Sequence, residues 1–193
     1  MEKYINNKKL KIVLLALTLF LILLKIMFYV LNDRYNLYIL IFNINQYIIN
    51  LTINILIVMA ALFLLNNNAK KVRKYVQSGC ACLVIMILIF LHLFSDSDKY
   101  YFYFQSPDNA KTLVVEECAW LLAGWSDFYV QRGIFIERLG AHITTNNGAR
   151  PFTFNNYELK WLDNNTAELY YYYGSGYGPG LSPVYKTSMI HLK

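Results

Sequence analysis

The sequence has few cysteines, and their scarcity excludes a disulfide-stabilised scaffold. The 193 residues include three cysteines, Cys80, Cys82 and Cys118, and so small a number does not build a disulfide framework. Cys80 and Cys82 are two residues apart on a predicted helix, so their side chains point to nearly opposite faces. We interpret all three as unpaired thiols that fill apolar sites.

Charged residues are also scarce, at 16% of the chain, whereas an ordinary soluble domain has about 25%. The shortage of acidic residues is confined to the first half. Residues 1–95 contain ten Lys and Arg against two Asp and Glu, whereas residues 96–193 contain eight against ten. The net charge of +6 therefore comes from the hydrophobic half, where it indicates membrane orientation rather than nucleic-acid binding.

The chain lacks a motif that would name a reaction, a metal, a cofactor or a nucleotide. The glycine-rich stretch 174–180 precedes a predicted strand and lacks the spacing of a dinucleotide fingerprint, so we interpret it as a surface loop. Glu116 and Glu117 are neighbours on a predicted strand and point to opposite faces, which prevents them from acting as a carboxylate pair. Cys118 and His142 have the chemistry of a nucleophile and a base, but no local motif supports that pairing. We therefore expect no enzyme.

The first half of the chain contains long apolar runs. A membrane-spanning helix needs about 20 mostly apolar residues, and three runs qualify: Ile12 to Leu31, Gln46 to Leu65, and Val76 to Phe94. The first run is longer than the apolar core of a signal peptide, which has about 7–15 residues, so we interpret it as a retained span. The mixed stretch from Leu37 to Asn45 either extends the second helix or lies in the membrane interface.

Basic residues flank these spans on one side. The segment before the first span contains four lysines, and the connection 66–75 contains Lys70, Lys71, Arg73 and Lys74. The connection between the first two spans has only Asp33 and Arg34, whose charges cancel. Because positively charged loops stay on the cytoplasmic side, we predict a cytoplasmic N-terminus and an extracytoplasmic domain over residues 96–193.

Polar residues within the spans are functional candidates, because charges are costly there. Lys25 is the one charge well inside a span, and Asn43, Gln46, Asn50 and Asn54 form a helical stripe on the second. At 1.5 Å per residue, Lys25 lies roughly 20 Å from the cytoplasmic end, and Asn54 and Asn50 roughly 16 and 22 Å. We predict that Asn50 or Asn54 accepts a hydrogen bond from Lys25. The pair serves helix packing, or alternatively a substrate or ion path.

His92 lies near the outer end of the third span, and we interpret it as an interfacial residue.

After Lys99 the pattern changes to short β-branched and aromatic runs separated by turn residues. The predicted strands are Tyr100–Gln105, Thr112–Leu121, Phe128–Glu137, His142–Thr145, Tyr157–Leu162, Ala167–Tyr173 and Tyr185–Leu192. The predicted turns are Ser106–Asn109, Gly124, Leu139-Gly140, Asn146–Gly148 and Asp163–Asn165. The predicted fold class is three transmembrane helices over residues 1–95, followed by a small antiparallel β-sandwich or curved sheet.

Aromatic residues are dense in this β domain. Such side chains stack on sugars and anchor interfaces, so Trp120, Trp125 and Tyr177 are candidates for a surface that binds a wall polymer or a peptide. Alternatively, the aromatic side chains fill the core of the sheet domain and rest on the membrane surface.

Four stretches of the second half, 113–117, 126–129, 143–152 and 157–166, are similar to one group of proteins. Together they resemble the C-terminal portion of small uncharacterised membrane or exported proteins of low-GC Gram-positive bacteria. The abundant Ile, Asn, Lys and Tyr are typical of an AT-rich genome. The resemblance supports the β domain and implies no activity or site residue.

The function expected from the sequence is that of a non-enzymatic membrane protein whose outer β domain binds or shields a surface ligand. Immunity, meaning self-protection against a secreted peptide toxin, is one concrete version. The expected partners are the lipid bilayer and a peptide, wall polymer or membrane protein. Two alternatives stay open: an accessory subunit of a larger membrane complex, and a membrane-bound enzyme that modifies the cell wall.

Overall fold

The structure is a computed structural model that describes residues 2–41, 44–66, 71–95, 99–175 and 182–192. It divides into two compact units, one formed by Met1–Tyr35 with Ile44–Ser95 and the other by Asn36–Asn43 with Asp96–Lys193. The first unit is helical and the second consists of β-sheet. The predicted fold class, membrane helices followed by an antiparallel domain with a curved sheet, is confirmed.

The helical unit contains α1 (Glu2–Tyr35), α2 (Gln46–Asn66) and α3 (Lys71–Ser95). Each helix is long and apolar enough to cross a bilayer, which confirms the three predicted spans. The helix α2 begins after a capping residue: the side-chain Oδ1 of Asn45 accepts a hydrogen bond from the Ile48 amide at 3.1 Å. That bond satisfies one of the amides that the first turn of a helix leaves without a partner.

The strands form two sheets. The larger sheet has the order β2-β1-β6-β5-β4-β3, and the smaller has the order β7-β8-β9. Consecutive strands from β3 to β6 pair antiparallel, and so do consecutive strands from β7 to β9. The strand β1 pairs antiparallel with β6. The strand bounds are β1 (Leu37–Ile41), β2 (Ile44–Asn45), β3 (Tyr100–Gln105), β4 (Thr112–Trp120), β5 (Ala123–Arg132), β6 (Phe135–Asn146), β7 (Tyr157–Asp163), β8 (Thr166–Ser175) and β9 (Pro183–His191).

Alternation along the strands gives the larger sheet two different faces. On one face, Leu113 and Phe128 belong to the main core, which also includes Leu169 and Ile190 of the smaller sheet. On the other face, a second cluster contains Val114, Tyr129 and Ile136 together with Leu40 of β1. The smaller sheet therefore covers one face, and the polar residues described below lie on the other.

Two of the predicted turns are wrong. The pair Leu139-Gly140 lies within β6, and the chain turns instead at Gly133 and Ile134, between the paired residues Arg132 and Phe135. Gly133 has a φ of 66°, which glycine adopts readily in a two-residue hairpin. Gly124 lies within β5, where a Cβ atom would come within 2.7 Å of the Ala149 carbonyl oxygen. Glycine is present there because another segment approaches closely, not because the chain turns.

The stretch from Leu37 to Asn45 does not extend the second helix. It contains β1, whose residues Leu37 and Ile39 pair with Glu137 and Phe135 of β6. The segment between α1 and α2 therefore shares a sheet with the segment that follows α3. The local sequence gives little indication of a five-residue strand whose pairing partner lies about a hundred positions later in the chain.

Candidate functional site

The helical unit joins Lys25 and Asn54. The ammonium Nζ of Lys25 donates a hydrogen bond to Oδ1 of Asn54 at 2.6 Å. This contact confirms the predicted hydrogen bond between Lys25 and the polar stripe of the second span, and it selects Asn54 over Asn50, which lies one turn earlier on α2. A charge at the centre of a span costs about 2.5–3.5 kcal/mol on insertion scales, and the carbonyl oxygen of Asn54 offsets part of that cost.

Two further polar residues of the helices lie within the described part of the chain. The hydroxyl of Thr18 donates to the carbonyl oxygen of Leu14 at 2.8 Å, within α1. His92 is partly buried near the end of α3. Asn43 of the predicted stripe and Tyr177 of the predicted surface lie outside the described residues.

In the β unit, strand register assembles a row of polar side chains that the sequence did not reveal. Tyr101 pairs with Glu116, Glu116 with Asp127, and Asp127 with His142, so the four residues cross β3, β4, β5 and β6 in line. Directly opposed residues have Cβ atoms about 4.5–5.5 Å apart. We call these four residues the polar row. It lies on the face that the smaller sheet does not cover.

Glu116 is the buried anion of the polar row. Its Oε1 lies 3.2 Å from the Lys99 ammonium, and both side chains are about nine-tenths buried. Its Oε2 accepts a hydrogen bond from the Tyr101 hydroxyl at 2.8 Å. A buried ion pair needs such additional hydrogen bonds, because desolvation otherwise outweighs the attraction of the two charges.

The thiol of Cys118 lies beside this ion pair. Its Sγ donates to Oε1 of Glu116 at 3.6 Å. Burial raises the pKa of the thiol well above its ordinary value, and the negative charge of Glu116 raises it further, although Lys99 lowers it. Because the thiolate is the nucleophilic form, Cys118 is a hydrogen-bond donor at neutral pH rather than an activated nucleophile.

Asp127 is the second anion of the polar row, and it binds two side chains of β6. Its Oδ1 lies 2.6 Å from Nη2 of Arg138 and 2.9 Å from Nδ1 of His142. The β5–β6 register shifts between Asp127 and Tyr129, where Asp127 pairs with His142 and Tyr129 pairs with Arg138. Two extra residues of β6 are accommodated there as a bulge, and bulges re-aim side chains in this way.

The two β6 partners of Asp127 form a half-exposed rim. The side chains of Arg138 and His142 are 42% and 45% exposed, whereas Asp127 is 12% exposed. The hydrogen bond from Arg138 to Asp127 raises the pKa of the guanidinium, so it stays charged. We call Arg138 and His142 the Arg–His rim.

Trp125, one of the predicted surface residues, lies on the same face as the Arg–His rim. It is partly buried and pairs with Cys118 on β4 and with Thr144 on β6. His142 is two residues from Thr144, which makes Trp125 and His142 diagonal neighbours within reach of each other. Trp120 lies elsewhere, at the exposed β4–β5 hairpin.

Glu117 points to the opposite face, as predicted, and is bound there by a turn. Its two carboxylate oxygens accept hydrogen bonds from the amides of Phe152 and Thr153, at 2.8 and 2.9 Å, and from the Thr153 hydroxyl. Phe152 is thereby held in the main core. Glu117 is fully buried, and its role is to fix the 151–155 turn against β4.

The sequence contained one weak signal for this site. Asp127 and Glu116 are acidic residues within apolar strands, and buried carboxylates need partners. Their partners Lys99, Arg138 and His142 depend on strand register and on the β6 bulge, neither of which has a local sequence pattern. Among the residues that the structure describes, no group of three or more His, Cys, Asp or Glu side chains is arranged to hold a metal ion.

Comparison with known proteins found no match. No protein-family model matches the chain, and neither a curated protein nor a solved structure does. Function is therefore argued from the site itself.

Proposed function

We propose that this chain is a non-enzymatic multi-pass membrane protein whose β unit lies outside the cytoplasm and binds or shields a ligand at the cell surface. The orientation is supported by the two basic segments, 1–11 and 66–75, which favour the cytoplasmic side. The pairing of β1 with β6 agrees with three spans, which put the α1–α2 segment and the β unit on the same side of the membrane.

The observation that carries the proposal is the Arg–His rim held by Asp127. Two nitrogen-bearing side chains are fixed by one buried carboxylate and are half exposed, and Trp125 lies on the same face of the sheet. A fixed guanidinium on the same sheet face as an aromatic ring suits a ligand that has an anionic group and an apolar portion. Membrane-active peptide toxins with a terminal carboxylate belong to that class, and this supports immunity as the concrete version.

The non-enzymatic part of the proposal is supported by the state of the acidic and thiol groups. Glu116 and Glu117 are occupied by protein partners, and the Cys118 thiol stays protonated. Groups that are engaged in this way stabilise a sheet and leave no free nucleophile among them.

The experiment is expression of the full chain in a bacterium that is sensitive to a panel of peptide toxins. Wild type is expected to raise the minimal inhibitory concentration of at least one peptide, and Arg138→Gln is expected to abolish that protection. Arg132→Gln is the matched control, because Arg132 is also half exposed and pairs with Glu137 at 3.2 Å on the same sheet. Unchanged sensitivity to the whole panel would reject immunity.

One observation favours an alternative, a membrane-bound enzyme that modifies the cell wall. The hydrogen bond between Asp127 and His142 resembles the pairing of a general base with the carboxylate that orients it. Incubation of the full chain in nanodiscs with purified wall polymer tests this function. New products that disappear in the His142→Gln variant would support the enzyme and contradict the leading proposal.

A further inference from the structure

Lys25 places a positive charge deep within the helical unit. Ten further residues of α1, 26–35, separate it from the end of the helix, which is roughly 15 Å at the helical rise. Asn54, which accepts its hydrogen bond at 2.6 Å, lies eight positions after Gln46 at the start of α2, roughly 12 Å into that helix. The hydrocarbon core of a bilayer is about 30 Å thick, so the ammonium lies well inside it.

Asn54 gives the ammonium a hydrogen-bond acceptor but no opposite charge. Its amide oxygen is neutral, whereas the ammonium is a cation with three N–H donors. Glu2 and Asp33 are the acidic residues of the first 95 positions. Asp33 lies eight residues after Lys25, near the end of α1, where it is 3.9 Å from Arg34. Within the spans of the described helices, Lys25 therefore has no carboxylate partner.

The geometry of α1 does not favour movement of the Lys25 ammonium to the nearer membrane surface. The first span runs from Lys9 to Tyr35, so the nearer end for Lys25 is the C-terminal one. Side chains of an α-helix lean toward its N-terminus, which is the opposite direction. The hydrogen bond to Asn54 also holds the ammonium against the interior of α2. Snorkelling, by which a lysine near the end of a span reaches the headgroups, is therefore disfavoured for Lys25.

Lys25 lies at the border between a packed flank and an open flank of α1. Residues three and four positions apart are neighbours on a helix surface. On one flank of Lys25, Leu21 and Phe28 are buried, and α1 packs against α2. On the other flank, Ile22 and Tyr29 are exposed, and Lys25 between the two flanks is partly buried. A further helix that lies along Ile22 and Tyr29 thus has access to the ammonium.

Depth and charge select the chemistry of such a helix. Lipid phosphates lie outside the hydrocarbon core, so they do not reach the level of the ammonium. A second copy of the chain brings no carboxylate to this depth, because residues 3–32 and 34–95 contain no Asp or Glu. Ionisable groups inside a membrane pair with one another. A carboxylate on the spanning helix of a different protein is therefore the partner that fits Lys25.

We propose that the α1–α2 pair binds a spanning helix of another membrane protein, which places an Asp or Glu side chain against the Lys25 ammonium. The carboxylate accepts hydrogen bonds from the donors that Asn54 does not use, and the two charges cancel within the apolar layer. Asn54 positions the ammonium for this contact. The contact involves the helical unit alone and is independent of the ligand proposed for the β unit.

The test measures energy transfer in phosphatidylcholine liposomes. The full chain without its native cysteines carries a donor dye on Asn68→Cys, and synthetic spanning peptides of about 20 Leu and Ala residues carry an acceptor. One peptide has Glu in its middle, a second has Gln there, and a third has Glu two turns away. The first is expected to bind about fivefold to thirtyfold more tightly than the second, the range of interhelical polar contacts in model peptides. The third is expected to bind several-fold less tightly than the first, because its carboxylate is displaced by about 11 Å.

Variants of the chain separate charge pairing from other effects. Lys25→Met is expected to bind the Glu and Gln peptides equally, whereas Lys25→Arg, which keeps the charge, is expected to retain the preference for Glu. Lys25→Glu is expected to prefer a peptide with Lys in its middle. Lys9→Met is the matched control, because it removes an exposed lysine at the start of the same span. The peptide comparison on the wild-type sequence stands even where a Lys25 variant does not fold.

Three results would overturn the proposal. Equal binding of the Glu and Gln peptides would mean that Lys25 serves helix packing alone. A preference for Glu that Lys25→Met retains would place the contact at another residue. Energy transfer between donor-labelled and acceptor-labelled copies of the chain that exceeds transfer to every peptide would mean that the open flank of α1 binds a second copy.

Discussion

The ammonium of Lys25 on α1 and the amide oxygen of Asn54 on α2 are 2.6 Å apart. The two residues are 29 positions apart in the chain, and each is a polar group within an apolar span. Their contact fixes the depth at which α1 and α2 pack, since a shift of one turn would separate them by about 5.4 Å.

This contact predicts coupling between the two positions. Asn54→Leu leaves the Lys25 charge without its acceptor and is expected to lower the melting temperature in detergent. In the double variant Lys25→Met/Asn54→Leu that charge is gone, so part of the stability returns. The coupling free energy is expected to be about 0.6–1.7 kcal/mol, the range for polar contacts between membrane helices. Asn50→Leu, one turn away, is the control, and equal coupling there would contradict the specific pairing.

A second prediction concerns the ion pair between Lys99 and Glu116. Lys99→Met leaves Glu116 buried without a counter-charge and is expected to destabilise the β unit by about 3–5 kcal/mol. The exposed pair of Arg132 and Glu137 offers a matched comparison, and Arg132→Met is expected to cost less than about 1 kcal/mol. Thermal unfolding followed by near-ultraviolet circular dichroism measures both. Equal losses in the two variants would mean that burial of the first pair is not what makes it important.

A third prediction concerns Glu117, which accepts three hydrogen bonds from Phe152 and Thr153. A glutamine at this position presents an amide NH₂ group to donors that need an acceptor. Glu117→Gln is therefore expected to cost about 1–3 kcal/mol of stability. Glu158→Gln replaces an exposed glutamate of β7 and is expected to change stability by less than about 0.5 kcal/mol. A Glu117→Gln variant with the stability of wild type would remove its role in fixing the turn.

A fourth prediction follows from the raised pKa of the Cys118 thiol. Because the pKa is raised, the reactive thiolate is scarce at pH 8 in the folded protein. It becomes abundant on unfolding, when the pKa returns to about 8.5. In a Cys80→Ser/Cys82→Ser variant, iodoacetamide is expected to modify Cys118 slowly at pH 8 and rapidly in denaturant. Rapid modification of the folded protein at pH 7 would instead indicate an activated thiol.

The sequence was sufficient to predict features that depend on neighbouring residues. The apolar runs between basic loops predict the three spans. The helical rise per residue, counted along α1 and α2, predicts that Lys25 and Asn54 lie at similar depths in the membrane. The turn residues Asp163–Asn165 between two short strand patterns predict a hairpin, and β7 and β8 pair around that turn.

Features that depend on distant partners were not predictable in this way. The strand β1 exists because β6 pairs with it, and the chain between them includes two spans. The Leu139-Gly140 pair has the composition of a turn, but in the structure it lies in the β6 bulge that brings Arg138 and His142 to Asp127. The polar row needs the register of four strands at once, and a shift of one residue would move each side chain to the other face.

The central claim is that the β unit lies outside the cytoplasm while the 66–75 connection lies inside. Single cysteines in a variant without the native three test it: Asn109→Cys in the β3–β4 turn and Asn68→Cys in the connection. A membrane-impermeant thiol reagent applied to intact cells is expected to label Asn109→Cys and to label Asn68→Cys only after the membrane is permeabilised. Labelling of Asn68→Cys in intact cells, with Asn109→Cys protected until permeabilisation, would contradict the account.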